Sequence, residues 1–113
     1  MKQINIGFKS KVTFYGKKKN KTVMARIDTG AKRCSIDKKL AEQIGIGKIS
    51  KYIIVKSASG TGKRPIVRLK IKIKGKAFYA HCTIADRSRL KYPALIGRNI
   101  LCKGFLVGSQ RKK

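Results

Sequence analysis

Thirty lysines and arginines against four acids in 113 residues leave a formal charge of +26, so the surface must attract polyanions unless the lysines merely decorate solvated faces. An apolar content of 42% argues against disorder, and the length suits one domain, 1–113, with a core just large enough to fold alone. No run approaches the ~18 apolar residues needed to cross a bilayer, and no signal-type apolar core follows Met1–Asn5. A cytoplasmic protein without membrane contact is therefore expected.

Residues 4–15 alternate loosely and end in the turn signal Gly16-Lys17-Lys18-Lys19-Asn20. Thr22–Ile27 returns as the second strand of a hairpin and delivers Asp28 to a loop, Asp28-Thr29-Gly30-Ala31, in which Gly30 can take backbone angles that other residues avoid. Cys34-Ser35-Ile36 reads as a short strand. Asp37 then has the marks of a helix N-cap, with Leu40, Ala41 and Ile44 at helical spacing and Gly45 as the stop. The apolar run Tyr52–Val55 predicts a buried strand.

Ser57, Ala58, Ser59, Gly60, Thr61 and Gly62, followed by Lys63, form a polar, glycine-rich tip between strands. It is not a phosphate loop, because Ser57 stands where the first glycine belongs and Arg64 replaces the Ser/Thr after the lysine. Val67, Leu69, Ile71 and Ile73 alternate with Arg68, Lys70, Lys72 and Lys74, the cleanest strand pattern in the chain: one face core, the other cationic. Together with Lys63 and Arg64 these cations predict a polyanion patch continuous near the tip. Gly75 turns the chain into a strand over 77–84. After Pro93 come a short apolar strand, a glycine and a helix-like turn in Leu95-Ile96-Gly97-Arg98-Asn99-Ile100-Leu101. Phe105–Val107 is a last strand, and residues 108–113 read as a frayed basic tail.

The Asp28–Ala31 loop and the Leu95-Ile96-Gly97-Arg98 segment, in this order and about one small domain apart, resemble the two signature elements of the retropepsin-like aspartic peptidases. Arg64-Pro65-Ile66-Val67-Arg68, Ala85-Asp86-Arg87-Ser88, Tyr92–Arg98 and Gly104-Phe105-Leu106-Val107 extend the likeness. They are similar to blocks of the small prokaryotic retropepsin-like family also labelled ATP-dependent zinc proteases. The resemblance runs from about Val23 to Val107. It implies a mainly β, closed acid-protease barrel of about six strands with one short helix, assembled as a homodimer. It further implies that Asp28 is catalytic, that Thr29, Gly30 and Ala31 support its loop, that Leu95, Ile96, Gly97 and Arg98 pack behind it, and that the Ser57–Lys63 tip is a flap over substrate.

Peptide hydrolysis by such a site needs two carboxylates sharing one proton around a water, as in the pepsin dyad. The chain has a single Asp-Thr-Gly. Asp37 reads as a cap, Glu42 lies on the open face of its helix and Asp86 sits in a loop, so the second carboxylate is expected from another copy. Asp86-Arg87 is expected either to form an ion pair with Arg98 or to be an ordinary surface pair. Cys34, Cys82 and Cys102 have no Cys-x-x-Cys spacing and read as small buried residues. His81, the sole histidine, reads as a structural strand residue rather than the partner of a nucleophilic Cys34. There is no His-Glu-x-x-His and no ATP motif, so neither metal nor cofactor is expected. The leading expectation is an aspartic endopeptidase acting on a peptide, acidic peptides included. The alternative is a non-catalytic module of the same fold that holds nucleic acid or acidic proteins on its basic surface.

Overall fold

The computed structural model describes residues 3–57 and 60–108. Among the described residues nine strands and two helices follow in chain order: β1 Ile4–Ile6, β2 Lys9–Tyr15, β3 Asn20–Ile27, β4 Cys34–Asp37, α1 Lys38–Ile44, β5 Ile49–Ser57, β6 Gly60–Ile73, β7 Lys76–Ala85, β8 Ala94–Ile96, α2 Arg98–Leu101 and β9 Phe105–Val107. Six strands close on themselves in the order β2-β3-β8-β4-β7-β6, because β6 pairs back onto β2. The expected closed, mainly β barrel is therefore present. The helix-like turn after Gly97 is a second, single-turn helix beside the expected α1.

Alternation builds the wall. Val12 and Phe14 on β2 and Leu69, Ile71 and Ile73 on β6 point inward, where they join Ala25, Ile36, Ile44, Ala80, Cys82, Ile96 and Ile100 in one core cluster. A one-residue slip in either strand would turn these apolar chains to water and the lysines inward. β6 reverses into β7 through Lys74 and Gly75, both with positive φ (52° and 79°), the paired left-handed conformation of a two-residue hairpin turn that matches strand twist.

Asp37 caps α1 as expected: its Oδ2 accepts the Lys39 N–H at 3.1 Å, and Gly45 closes the helix at φ 75°. The first and last strands, β1 and β9, pair in parallel with Ile4 opposite Phe105 and Ile6 opposite Val107. This pairing brings Ile6 and Val107 onto the core from the two ends of the fold.

β5 lies outside the barrel and, among the described residues, pairs only with β6, so the hairpin they form stands clear of it. That corrects the expectation of a buried strand at Tyr52–Val55. Tyr52 and Ile54 are 59% and 66% exposed because no second layer covers β5. Cys102 likewise is exposed at the end of α2, whereas Cys34 and Cys82 are buried as expected. Among the described residues no helix is long and apolar enough to cross a membrane. Most of the proposed tail, residues 109–113, and Ala58 and Ser59 of the tip lie outside the described residues.

Candidate active site

β3 ends at Ile27 beside Ile96 of β8, in a parallel pairing that runs Ala25–Ala94, Arg26–Leu95 and Ile27–Ile96. The last rung continues into the loop: the Asp28 N–H donates to the Ile96 carbonyl at 3.0 Å. Asp28 then folds over its own turn, with Oδ1 accepting the Gly30 N–H at 2.8 Å and its carbonyl accepting the Ala31 N–H at 3.2 Å. The Gly30 N–H aimed at the carboxylate fixes its rotamer.

At Gly30 space counts for more than backbone angle. Its φ is not in the left-handed region, contrary to the expectation, but a Cβ would sit 3.2 Å from Asp28 Oδ1. Gly97 is a stronger case. A Cβ on it would lie 2.6 Å from the Arg33 carbonyl oxygen and 2.8 Å from that of Ala31, so the β8–α2 junction presses directly on the backbone of the Asp28 loop. Arg98 completes the brace: its N–H donates to the Ala31 carbonyl at 2.8 Å and its guanidinium to the Thr29 carbonyl at 3.1 Å. The structure thus brings together Asp28, Thr29, Gly30, Ala31, Leu95, Ile96, Gly97 and Arg98, with Thr29 engaged through its carbonyl.

Asn99 does a job that the sequence reading passed over. Its Oδ1 accepts the Cys34 N–H at 3.2 Å and its Nδ2 donates to the His81 carbonyl at 2.9 Å, tying α2 to β4 and β7. Cys34 and Cys82 face each other across β4 and β7 and are wholly buried. Hydrogen bonding with Cys34 and burial hold the Cys82 thiol well above its ordinary value. His81 is exposed on the opposite side of its strand, so no Cys-His pair forms.

Asp28 is half-buried in a cleft of about 170 Å³ that it shares with Arg26, Arg87, Leu90, Lys91, Tyr92 and Leu95. A larger cavity of about 600 Å³, lined by Phe8, Lys9 and Ile27 among others, shares Arg26, Lys91 and Tyr92 with it, so the two form one groove. Arg26 and Arg87 were not singled out for this site from sequence. Arg26 points out of β3 one step before Ile27, and Arg87 is carried in by a loop about sixty residues on. That loop is anchored by Asp37, whose Oδ1 accepts the Arg87 N–H at 2.7 Å, and by Arg87 Nε donating to the Tyr92 carbonyl at 3.2 Å. Burial pulls the Arg87 guanidinium below its ordinary value, Asp37 pushes it back up, and Arg26 and Arg64 pull it down.

Within the chain Asp86 does not pair with Arg98. Its carboxylate accepts the Ser88 hydroxyl at 2.6 Å and the Ser88 N–H at 3.0 Å, which hold it below the usual carboxylate range. A local turn satisfies Asp86 before any distant guanidinium can.

The expected flap is the β5–β6 hairpin, which pairs from Ser57 opposite Gly60 through Val55 opposite Gly62 to Tyr52 opposite Pro65. The expected polyanion patch divides. Lys63 and Arg64 stand on this hairpin, and Arg64 is near enough to Arg87 to act on it; Arg68, Lys70 and Lys72 lie on the barrel wall, and Lys74 in the turn at its far end. Lys63 and Lys74 are eleven strand steps apart, roughly 35 Å at about 3.3 Å per step, so they cannot form one patch beside the tip. Among the described residues no three of His, Cys, Asp and Glu converge as a metal site would require.

Residues 15–103 match the family described as "gag-polyprotein putative aspartyl protease". The chain belongs to this retropepsin-like family. Three solved structures show the fold from the other side. A Legionella pneumophila protein of unknown function, Lpg0085, is 25% identical over 96% of this chain and 95% of its own, with a TM-score of 0.66. The EIAV protease complexed with the inhibitor HBY-793 is 18% identical, covers 84% of this chain and 85% of its own, and has a TM-score of 0.66. The simian foamy virus protease, solved in solution, is 15% identical over 83% and 91%, with a TM-score of 0.61. No curated protein sequence matches the chain. The zinc label attached to the resembling prokaryotic family gains no support from these matches.

Proposed function

We propose that the protein is an aspartic endopeptidase whose working unit is a two-fold homodimer, with one Asp28 from each subunit at the axis. The observation that carries this reading is the Asp28 loop itself: a half-buried carboxylate oriented by the Gly30 N–H and braced from behind by Gly97 and Arg98, in a chain of the aspartyl protease family. Among the described residues no second carboxylate lines its cleft. Asp37 is engaged as a cap and anchor and Asp86 as a turn, leaving a second copy of Asp28 as the source of the partner acid.

In the dimer the two carboxylates hold one proton between them, because like charges at such short range resist double ionisation. The ionised one takes a proton from a bound water as the water oxygen attacks the peptide carbonyl carbon, while the protonated one gives its proton to the carbonyl oxygen. Collapse of the tetrahedral intermediate returns that hydroxyl proton to the dyad and transfers a proton to the leaving amine, which restores the starting charge. Thr29, Gly30 and Ala31 keep the loop in place, and the β5–β6 hairpin supplies a flap whose exposed Tyr52 and Ile54 cover the bound strand. Phe8 and Leu90, exposed at 62% and 55% on the rim of the groove, suit burial by substrate or partner subunit. Arg26, Arg87 and Lys91 make the groove cationic and favour peptides with acidic residues near the cleaved bond.

The test is a sizing measurement across salt concentration paired with a peptide-library cleavage assay. Two strongly basic subunits repel, and salt relieves this, so dimer fraction and specific activity should rise together as salt is added. Full cleavage by a strict monomer would contradict the reading.

A further inference from the structure

The wall of the barrel formed by β3, β2, β6 and β7 carries no acid on any of its four strands. The four acids of the chain all lie elsewhere: Asp28 in its loop, Asp37 at the cap, Glu42 on α1 and Asp86 after β7. Strand register sets the outward residues of this wall in rows. One row runs Asn20, Tyr15, Lys70, Tyr79 across the four strands; the next runs Thr22, Thr13, Lys72, Ala77. Arg68 and His81 flank the first row, and Lys11 and Lys74 lie beyond the second.

In and beside the first row, each ring is in contact with a cation. Lys70 Nζ stands 5.0 Å from the Tyr15 ring centre, and the Arg68 guanidinium stands over Tyr79 at 4.6 Å. Tyr79 is nevertheless 53% exposed. Nothing in the core requires either ring, since the inward side of the same strands already holds Phe14, Ile71 and Ala80. The two tyrosines are two strand spacings apart, about 10 Å, with a cation between them.

We propose that this face binds single-stranded nucleic acid, with bases stacking on Tyr15 and Tyr79 and phosphates held by Lys11, Arg68, Lys70, Lys72 and Lys74. Charge alone would hold any polyanion; the exposed Tyr79 ring and the half-buried Tyr15 ring set among the cations select for unpaired bases, which a duplex does not present and an acidic protein lacks. The residues of the row do not line the Asp28 cleft, so the two surfaces are separate.

Fluorescence anisotropy with a labelled 12-nucleotide oligouridylate and the matching oligothymidylate tests this. Five phosphate contacts give a log–log salt slope of about −3.5, a loss of roughly 100-fold in affinity between about 50 and 200 mM salt. Tyr79→Ala should weaken binding roughly 5- to 150-fold, the range for one stacked base, while Tyr79→Phe keeps it. Tyr79→Leu, which preserves bulk without a ring, should behave like the alanine variant and serves if that variant misfolds; circular dichroism checks both. Unchanged affinity in a folded Tyr79→Leu or Tyr79→Ala variant would overturn the proposal. Equal or tighter binding of a 12-base-pair duplex, polyglutamate or phosphatidylserine vesicles would overturn it as well.

Discussion

Gly97→Ala probes the contact on which the Asp28 loop rests. The added Cβ would meet the carbonyl oxygens of Arg33 and Ala31 at 2.6 and 2.8 Å and the Arg33 carbonyl carbon at 2.7 Å, all backbone. Ordinary contact for such atoms begins near ~3.4 Å, so α2 and the 31–33 segment must separate by roughly 0.6–0.8 Å, an overpacking that costs about 1–3 kcal/mol. The same shift stretches the Arg98 N–H bond to Ala31 and the Cys34 N–H bond to Asn99, now 2.8 and 3.2 Å, at about 1 kcal/mol each. A total of about 3–5 kcal/mol corresponds to a fall in melting temperature of well over ~10 °C for a chain of this size. Cleavage should fall further than folding does, because displacement of a reacting group by about 1 Å costs on the order of a hundredfold. Gly62→Ala is the control: a Cβ there meets nothing within 4 Å. Thermal and urea unfolding of the two variants decides the matter. A Gly97→Ala protein within about 0.5 kcal/mol of wild type, the ordinary range for surface changes, would refute the claim that the two segments are pressed together.

Two other substitutions read out separate parts of the structure. Asp37→Ala removes both the α1 cap and the acceptor for the Arg87 N–H and should cost about 2–4 kcal/mol in urea unfolding, with Asp37→Asn losing less because it keeps one oxygen. Because the Cys82 thiol, hydrogen-bonded to Cys34 and buried, is held above its ordinary value, the native state keeps a proton that the unfolded chain gives up near pH ~8.5. Its contribution is full below that pH and is lost as pH rises, so unfolding midpoints measured at neutral and alkaline pH should fall less steeply for the Cys34→Ala/Cys82→Ala double variant, which removes the coupled pair, than for wild type.

The wall of the barrel was legible because β6 obeys a strict period of two from Val67 to Ile73, and a register error there would bury lysines. The Asp28 loop and its Gly97–Arg98 brace were legible because each is a short segment whose residue types are forced by close backbone approach. Tyr52–Val55 misled, since an apolar run reports a need for cover without saying what supplies it; here β5 leaves the barrel as a free-standing hairpin. The parallel pairing of β1 with β9 could not be read from three-residue strands at opposite ends of the chain. Arg26 and Arg87 escaped notice at the site for a related reason. Each is unremarkable locally, and only the Asp37–Arg87 bond swings the second one toward Asp28. The cationic residues of β6 were grouped by sequence, whereas a long strand carries Lys63 and Lys74 far apart.

The most direct test of the central claim is peptide-library cleavage by wild type and Asp28→Asn at equal dimer fraction, with unfolding curves recorded alongside. The amide cannot accept the water's proton, so the variant should fold and assemble like wild type and release no product. Turnover by Asp28→Asn, or wild-type activity that chelators abolish and zinc restores, would contradict the account.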